Sequence, residues 1–164
     1  MTEENASPED PAELTRYIET RFHARHREQL PELARLAAKV EQVHVGAPGV
    51  PAGLAELLRK MIGELEVHMK KEELIVFPAI RRGAEGIGNP IAIMRADHDD
   101  QGAEIAYIRN LTADLTLPDG ACRTWTALYQ GLGDFIDDFE AHVRLENDVL
   151  FPQFEHDASP GGRP

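Results

Sequence analysis

Apolar residues recur at every third or fourth position along four long stretches of the chain, a spacing that predicts amphipathic α-helices. The first predicted helix starts with Asp10 as its N-cap and Pro11 in the first helical position, and it ends near His44. Pro31 lies inside this helix and predicts a kink, because proline cannot donate the backbone hydrogen bond to the preceding turn. The segment 46–51 is rich in glycine and proline and predicts a loop.

The second and third helices are predicted from the same spacing and from the residues at their ends. The second begins near Pro51 and ends at 78–82, ahead of three glycines. The third begins with Asn89 as its N-cap and Pro90 in the first helical position, and it fades at 115–120.

The fourth predicted helix covers 125–149 and ends before a Phe-Pro pair. An alternating pattern that would predict a β-strand is not found in the sequence. Four amphipathic helices joined by modest loops predict an all-α fold, an antiparallel up-down-up-down four-helix bundle. This bundle is expected to span residues 10–154, with flexible tails at 1–9 and 155–164.

The composition narrows the class of protein. A chain of 164 residues with 42% hydrophobic and 28% charged residues suits one soluble globular domain. The net charge of −12 argues against a nucleic-acid partner and against binding to anionic membranes, because phosphate groups would repel the protein. The apolar stretches are shorter than the roughly 20 residues that a membrane-spanning helix needs.

Cysteine usage and the N-terminal sequence predict a cytoplasmic protein. Cys122 is the only cysteine, so an intrachain disulfide and a thiolate-ligated cluster within one chain are excluded. The N-terminal residues lack the basic and apolar regions of a signal peptide.

The strongest chemical signal is a motif that occurs twice, 74 residues apart. Both copies read apolar-Glu-x-His-x-x-x-Glu-x-x-x-x-Phe-Pro, with His68 and Glu72 in the first copy and His142 and Glu146 in the second. A histidine and a glutamate four residues apart share one face of an α-helix, where the pair can bind a metal. A duplication kept only for packing would leave a similar trace, but packing gives no reason to keep titratable pairs on an inner face. The motif therefore predicts a metal centre between two helices.

The other two helices offer further imidazoles at the same level of the bundle. The third helix offers His98, and the first offers His23 or His26, of which His26 fits the apolar periodicity slightly better. His44 lies about 31 Å from His23 along a straight helix and is excluded, as is His156 near the C-terminal tail. Nitrogen and oxygen ligands without thiolate suit iron or manganese, and two carboxylates suit a pair of ions. Zinc would not need so many ligands.

The helices also contain longer segments that are typical of a known family. They are FHARHREQLPEL (22–33), KVEQVH (39–44), HMKKEE (68–73), DHD (97–99), TW (124–125) and LENDVLFP (145–152). Through these segments the chain resembles hemerythrin-like, HHE cation-binding domains over about residues 14–154. It is most similar to the iron–sulfur cluster repair di-iron proteins, the RIC or YtfE/ScdA-like group.

The resemblance implies a non-haem di-iron centre, bridged by carboxylates and an oxo or hydroxo group, with manganese as an alternative metal. It implies one imidazole from each helix and two bridging carboxylates, and the implied metal ligands are His23, His68, His98, His142, Glu72 and Glu146.

Two departures from related proteins affect the functional interpretation. Many repair proteins of this group carry a short N-terminal domain with a cysteine pair, whereas here about a dozen residues precede the first helix and Cys122 is in the wrong place. A separate protein could supply such thiols. Oxygen-carrying hemerythrins have a fifth histidine one turn after the third-helix ligand, and the corresponding position here is Gly102. A missing ligand favours reaction with a gas over its reversible carriage.

Residues beside the motif are predicted to have lesser roles. Glu64 lies one turn before His68 and could hold the imidazole or pass protons, although a solvated acidic face explains it equally well. Asp97 points about 100° away from His98 on the helix, so a role for it is less expected. The Phe-Pro pairs and Trp125 are interpreted as packing and helix termination.

Three functional hypotheses follow from these observations. The first is a di-iron stress protein that supports the repair of damaged iron–sulfur proteins through iron donation or reaction with nitric oxide. The second is an oxygen or iron sensor or storage protein without turnover, with oxygen as the gas ligand. The third is a structural bundle whose histidines are incidental.

Overall fold

Four long helices form the protein in the computed structural model, which describes residues 8–155. Helix α1 covers 11–43, α2 covers 54–81, α3 is Gly88–Leu111 and α4 covers 123–150. A short helix, α5, follows at Pro152–Glu155, and the described part of the chain contains no strand. The predicted all-α fold is therefore confirmed. The tails predicted at 1–9 and 155–164 lie largely outside the described residues, as does His156.

Ion pairs between the helices show that neighbouring helices run antiparallel. Arg81, at the end of α2, contacts Glu19, early in α1, at 2.7 Å. The late residue Lys71 of α2 contacts the early residue Asp97 of α3, at 3.0 Å. Because successive helices alternate in direction, residues near the middle of each one meet at a single level of the bundle.

The start of α1 agrees with the prediction, and the start of α2 does not. Asp10 caps α1 by accepting the backbone N–H of Glu13, at 3.1 Å. Helix α2 begins at Leu54 rather than near Pro51. Its first N–H groups are satisfied from another helix, since the Glu41 carboxylate accepts the N–H of Gly53 at 3.0 Å and that of Ala55 at 2.7 Å.

The boundaries of α3 also differ from the prediction, while the kink predicted at Pro31 stays a prediction. Helix α3 begins at Gly88, so Pro90 is in its first turn, where the missing N–H costs little. It ends at Leu111, because residues 113–115 adopt positive φ angles of 52°, 57° and 61°, which no α-helix accommodates. Pro31 does not interrupt α1, which stays helical from Ala24 to Val43.

Three of the long helices contain a π-turn, in which each N–H bonds to the carbonyl five residues earlier. The π-turns are Glu19–His23 in α1, Glu72–Val76 in α2 and Leu145–Leu150 in α4. An extra residue in one turn rotates the rest of the helix, so residues that an ideal α-helix would place on different faces can point inward together. Each π-turn contains one of the six predicted ligands.

The apolar core is divided into two clusters along the bundle. The larger cluster is formed by residues within 30–69 and 105–139, and the smaller cluster by residues within 14–22, 76–94 and 150–151. The inward-facing histidines and glutamates lie between them. Within residues 8–155, none of the helices combines the length and the apolar character needed to cross a membrane.

Candidate metal centre

The structure brings all six predicted ligands together in two groups of side chains. Every ligand atom of a group lies within 4.8 Å of the others. One group contains His23 and His142, the other contains His68 and His98, and both contain Glu72 and Glu146. All six side chains are buried, with at most 4% of their surface exposed.

Each glutamate divides its two carboxylate oxygens between the two groups. Glu72 Oε1 lies 3.0 Å from His23 Nε2, while its Oε2 lies 3.3 Å from His68 Nε2. Glu146 follows the same pattern on the other side of the centre. Its Oε2 lies 2.8 Å from His142 Nε2 and its Oε1 lies 3.0 Å from His98 Nε2. Each carboxylate therefore has one oxygen in each group.

Several of these atoms are close together without making a hydrogen bond. Nε2 of His68 and of His98, together with the Glu72 Oε2 and Glu146 Oε1 that face them, have no hydrogen-bond partner within residues 8–155. Buried polar atoms normally have partners, because their desolvation is otherwise uncompensated. Atoms that converge on a common point at such distances fit a metal ion as the missing partner, and imidazole and carboxylate are suitable donors.

The outer nitrogen of each of three candidate ligands faces an oxygen of a neighbouring residue. His23 Nδ1 lies 2.7 Å from Glu73 Oε2, and His68 Nδ1 lies 2.9 Å from Asp97 Oδ2. His98 Nδ1 lies 2.9 Å from the Asn147 side-chain oxygen. Such contacts hold an imidazole in the tautomer and orientation that leave Nε2 free for a metal.

The fourth candidate ligand, His142, has a different neighbour. Its Nδ1 lies 3.0 Å from Nε2 of His26, which is fully buried beside it. His26 is in neither group of candidate metal ligands, whereas His23 is. Periodicity alone favours His26 because it assumes an unbroken α-helix, and the π-turn that ends at His23 brings both residues inside.

Aromatic rings cover the outer faces of three imidazoles. Phe77 stacks on His23 with ring centres 5.8 Å apart, and Phe151 stacks on His98 with ring centres 6.1 Å apart. Both phenylalanines come from the repeated motif, so each copy packs against a histidine of a different helix. Phe22 stacks on His142 at 5.3 Å. These rings exclude water from the centre.

Electrostatics in the metal-free chain shift the pKa values of the imidazoles in different directions. Burial lowers the pKa of His68, but the negative Glu72 carboxylate 3.3 Å from its Nε2 outweighs burial and raises the pKa to about 9. The same opposing effects leave the pKa of His23 and of His98 raised. Burial dominates at His142, whose pKa is well below the usual value. A proton on His68 offsets carboxylate charge, as a bound cation would.

Four predictions about individual residues have different outcomes. His44 lies at the far end of the larger cluster, with its Nε2 3.3 Å from Cys122 Sγ and outside both groups. Glu64 does not contact an imidazole but pairs with Lys60 at 3.2 Å. Asp97 was expected to matter less and instead holds His68, because it faces a neighbouring helix. Gly102 is exposed, and a Cβ added there would meet nothing within 4 Å.

The chain matches known proteins over most of its length. Residues 16–154 match the Hemerythrin HHE cation binding domain. The chain belongs to this family. It is 50% identical to the iron–sulfur cluster repair protein YtfE of Dickeya chrysanthemi over 142 residues, 86% of this chain and 64% of that protein. The corresponding protein of Edwardsiella ictaluri is 51% identical over 143 residues, with the same shares of both chains. This chain therefore spans slightly less than two thirds of these relatives.

Sequence reasoning missed the residues that hold the outer nitrogens. Glu73 and Asn147 directly follow the two motif glutamates, so the repeat itself contained a signal for them. Both occupy the same place in their copy and hold the histidine of a neighbouring helix. For His26, the signal was its place on the inner face of α1, which was interpreted as a competing ligand.

Proposed function

We propose that this protein is a non-haem di-iron protein that supports the repair of iron–sulfur clusters during nitric oxide or oxidative stress. The observation that carries the proposal is the division of the Glu72 and Glu146 oxygens between two groups of histidines. Carboxylates shared in this way suit two bridged ions. The names of the similar proteins support the repair role.

In this proposal two imidazoles and one oxygen from each glutamate would hold each ion. His23 and His142 would hold one ion, and His68 and His98 would hold the other. The set of nitrogen and oxygen donors suits iron, with manganese as the alternative. A bound ferrous pair would supply reducing electrons and coordination positions for a small gas.

The surrounding residues keep the centre dry and its ligands oriented. Phe77 and Phe151 each cover one imidazole. Glu73, Asp97 and Asn147 accept the outer N–H groups of three candidate ligands. Each group has two imidazoles, because Gly102 supplies no further histidine one turn after His98, and this supports reaction with a gas over its stable carriage.

Two modes of action are consistent with this centre. Iron could be donated to damaged iron–sulfur proteins, or nitric oxide could react at the reduced centre. A sensor or store that binds oxygen reversibly is the competing function. We further propose that the protein acts in the cytoplasm and without nucleic acid, which cell fractionation and binding assays test.

The experiment starts with metal analysis of protein reconstituted with ferrous iron under anaerobic conditions. About two irons per chain are expected, since the proposal assigns two positions. The reduced protein is then exposed to nitric oxide, and iron–nitrosyl signals and gas consumption are followed by electron paramagnetic resonance and a gas electrode. In parallel, loaded protein is mixed with an iron–sulfur dehydratase inactivated by peroxide, and recovery of its activity is measured.

His44→Ala is the matched control, because His44 lies outside both groups and should leave the metal content near normal. Absence of bound metal would refute the centre. Bound metal without nitrosyl formation would refute the gas reaction, and failure to restore the dehydratase would refute iron donation. Stable oxygen binding over repeated cycles would favour the sensor or store.

A further inference from the structure

We propose that His26 is a positioning residue of the metal centre, which accepts the Nδ1–H of His142 and thereby directs His142 Nε2 toward the metal. The inference rests on the proposed centre, because it requires His142 to be a ligand. It deepens that proposal by explaining how the one ligand without an oxygen neighbour is held.

The contact between the two rings is the first part of the argument. His26 Nε2 lies 3.0 Å from His142 Nδ1, and the ring planes are inclined by 25°. His142 Nε2 lies on the opposite side of its ring, 2.8 Å from Glu146 Oε2. For Nε2 to bind a metal, the proton of the neutral imidazole must reside on Nδ1. His26 Nε2 must then be the acceptor, and its own proton must be on Nδ1.

Polar groups between His26 and the surface favour that tautomer. The Asp138 carboxylate can only accept, and it takes a hydrogen bond from Gln29 Nε2 at 3.0 Å. The Gln29 amide oxygen is therefore left to accept. Gln29 Oε1 and His26 Nδ1 are both buried, and neither makes a hydrogen bond within the described part of the chain. Because the buried atom that Gln29 leaves without a partner is an acceptor, its position beside His26 favours a proton on His26 Nδ1.

Asp138 is itself held in place. Arg25 donates to Asp138 at 2.9 Å and Arg21 donates to it at 3.2 Å. Asp138 thereby fixes the orientation of the Gln29 amide and leaves its oxygen, rather than its nitrogen, as the atom without a partner.

The repeat within the protein shows why α1 needs His26. On α3, the residue before His98 is Asp97, and it accepts the Nδ1–H of His68. The equivalent residue on α1, before His23, is Phe22, which stacks on His142 and cannot accept a hydrogen bond. His26, one turn further along α1, supplies the hydrogen-bond acceptor for His142 instead.

Packing keeps the His26 ring in place. It makes an edge-to-face contact with Phe135, with ring centres 5.4 Å apart, and lies 6.1 Å from Phe139. A buried histidine that served only packing would have no need for its nitrogens to match a donor on one side and an acceptor on the other.

The test compares His26→Phe, which keeps a ring but removes both nitrogens, with His26→Gln, whose amide oxygen can accept in place of Nε2. Iron release from anaerobically loaded protein to a chelator is expected to be about tenfold or more faster in the Phe variant. The Gln variant should stay within about twofold of the parent protein, because a hydrogen-bond acceptor is restored.

A spectroscopic measurement distinguishes the misplacement of one ligand, His142, from a general loss of stability that would affect both irons. In Mössbauer spectra of the loaded protein, His26→Phe should alter the signal of one iron and leave the other unchanged. Asp97→Asn is the matched variant and should alter the other iron, because Asp97 holds His68 in the second group. If His26→Phe does not fold, Gln29→Leu is used instead. This variant removes the amide beside His26 and should likewise alter the Mössbauer signal of one iron only.

The outcomes distinguish this inference from the proposed function. A parent protein that binds no iron would refute the centre and this role together. A loaded parent protein with unchanged release rate and spectra in His26→Phe and in Gln29→Leu would overturn the inference alone. Equal changes at both irons, or failure of His26→Gln to restore the parent behaviour, would also overturn it.

Discussion

Glu72 and Glu146 are the residues on which the two groups of the centre depend most. Each supplies an oxygen to both groups, whereas each histidine belongs to one group only. Loss of a histidine removes one donor from one position, and loss of a glutamate removes one donor from both. The carboxylates are therefore expected to be the less replaceable members.

The first prediction concerns this difference. Glu146→Ala should lose nearly all bound iron, and His142→Ala should lose iron mainly from its own group. Both variants should have lower melting temperatures, because metal binding favours the folded state. Metal analysis and thermal unfolding check these expectations, with His44→Ala as the control that retains its iron. Normal iron content in Glu146→Ala would contradict the shared-carboxylate arrangement.

The second prediction is that iron uptake releases protons at neutral pH. The pKa of His68 in the metal-free chain is about 9, because Glu72 outweighs the effect of burial. A metal binds the neutral imidazole, so the proton must leave, and the apparent affinity should rise as the pH increases towards about 9. Anaerobic addition of ferrous iron to weakly buffered protein should acidify the solution. His68→Ala should release fewer protons, and an unchanged pH in the parent protein would contradict the prediction.

At the scale of residues, the sequence predicted which six side chains meet better than it predicted their surroundings. The six candidate ligands follow from a repeated spacing and a family resemblance, and the structure brings them together. Asp97 was undervalued because its angle was compared with His98 on its own helix, while its partner is on α2. Contacts between helices depend on how the bundle packs, and spacing along one helix does not contain that information.

At the scale of helices, the repeated motif is explained by its π-turns. The backbone N–H of Phe77 bonds to the carbonyl of Glu72, and the N–H of Phe151 bonds to that of Glu146. The five-residue spacing of glutamate and phenylalanine in the motif is thus the spacing of a π-turn hydrogen bond. The Phe-Pro pair was interpreted as packing and helix termination, and α2 ends at Arg81, within the predicted range 78–82.

The third prediction concerns two glycines within the helices. Gly63 lies in α2 with open space around it, so Gly63→Ala should raise the free energy of unfolding by about 0.5–1 kcal/mol. Gly131 lies in α4, where an added Cβ would meet Leu33 Cδ2 at 2.7 Å. Gly131→Ala should therefore stabilise the protein less than Gly63→Ala, because the Leu33 side chain must move to admit the Cβ and this offsets the gain in helix propensity. Denaturant unfolding of the metal-loaded proteins compares the two variants, and an equal or larger stabilisation by Gly131→Ala would contradict the packing of α1 on α4.

Helix boundaries were predictable where the signal is local. Asp10 caps its own helix and was recognised. Glu41 caps α2 from α1, and this could not be read from the residues around Leu54. The end of α3 was placed too late because apolar residues continue beyond Leu111, although the backbone already turns there.

At the scale of the whole molecule, the centre separates two apolar clusters of unequal size. The smaller cluster packs the ends of the helices beyond the metal ligands, and it contains fewer buried side chains than the larger one. Its share of the hydrophobic stabilisation is correspondingly smaller. Metal binding by ligands from all four helices is therefore expected to contribute a larger share of the stability at the end with the smaller cluster than at the end with the larger one.

The fourth prediction follows from this division. Removal of the metal by a chelator should lower the melting temperature and accelerate backbone hydrogen exchange mainly in 14–22 and 76–94. The lost stabilisation amounts to about 2.7 kcal/mol when free metal stands at 100 times its dissociation constant. Hydrogen exchange followed by mass spectrometry locates the effect, with the segment 125–139 of the larger cluster as the internal reference. Equal acceleration in both clusters would contradict the prediction.

The sharing of Glu146 by both groups has a consequence for synthesis of the protein. Proteins are made from the N-terminus, and α4 leaves the ribosome after α1, α2 and α3. Helices α1 to α3 already carry four of the six candidate ligands, but neither group can be completed without His142 or Glu146. A nascent chain therefore has no group with its full set of donors, and the paired centre can be completed only after α4 has folded against the other three helices.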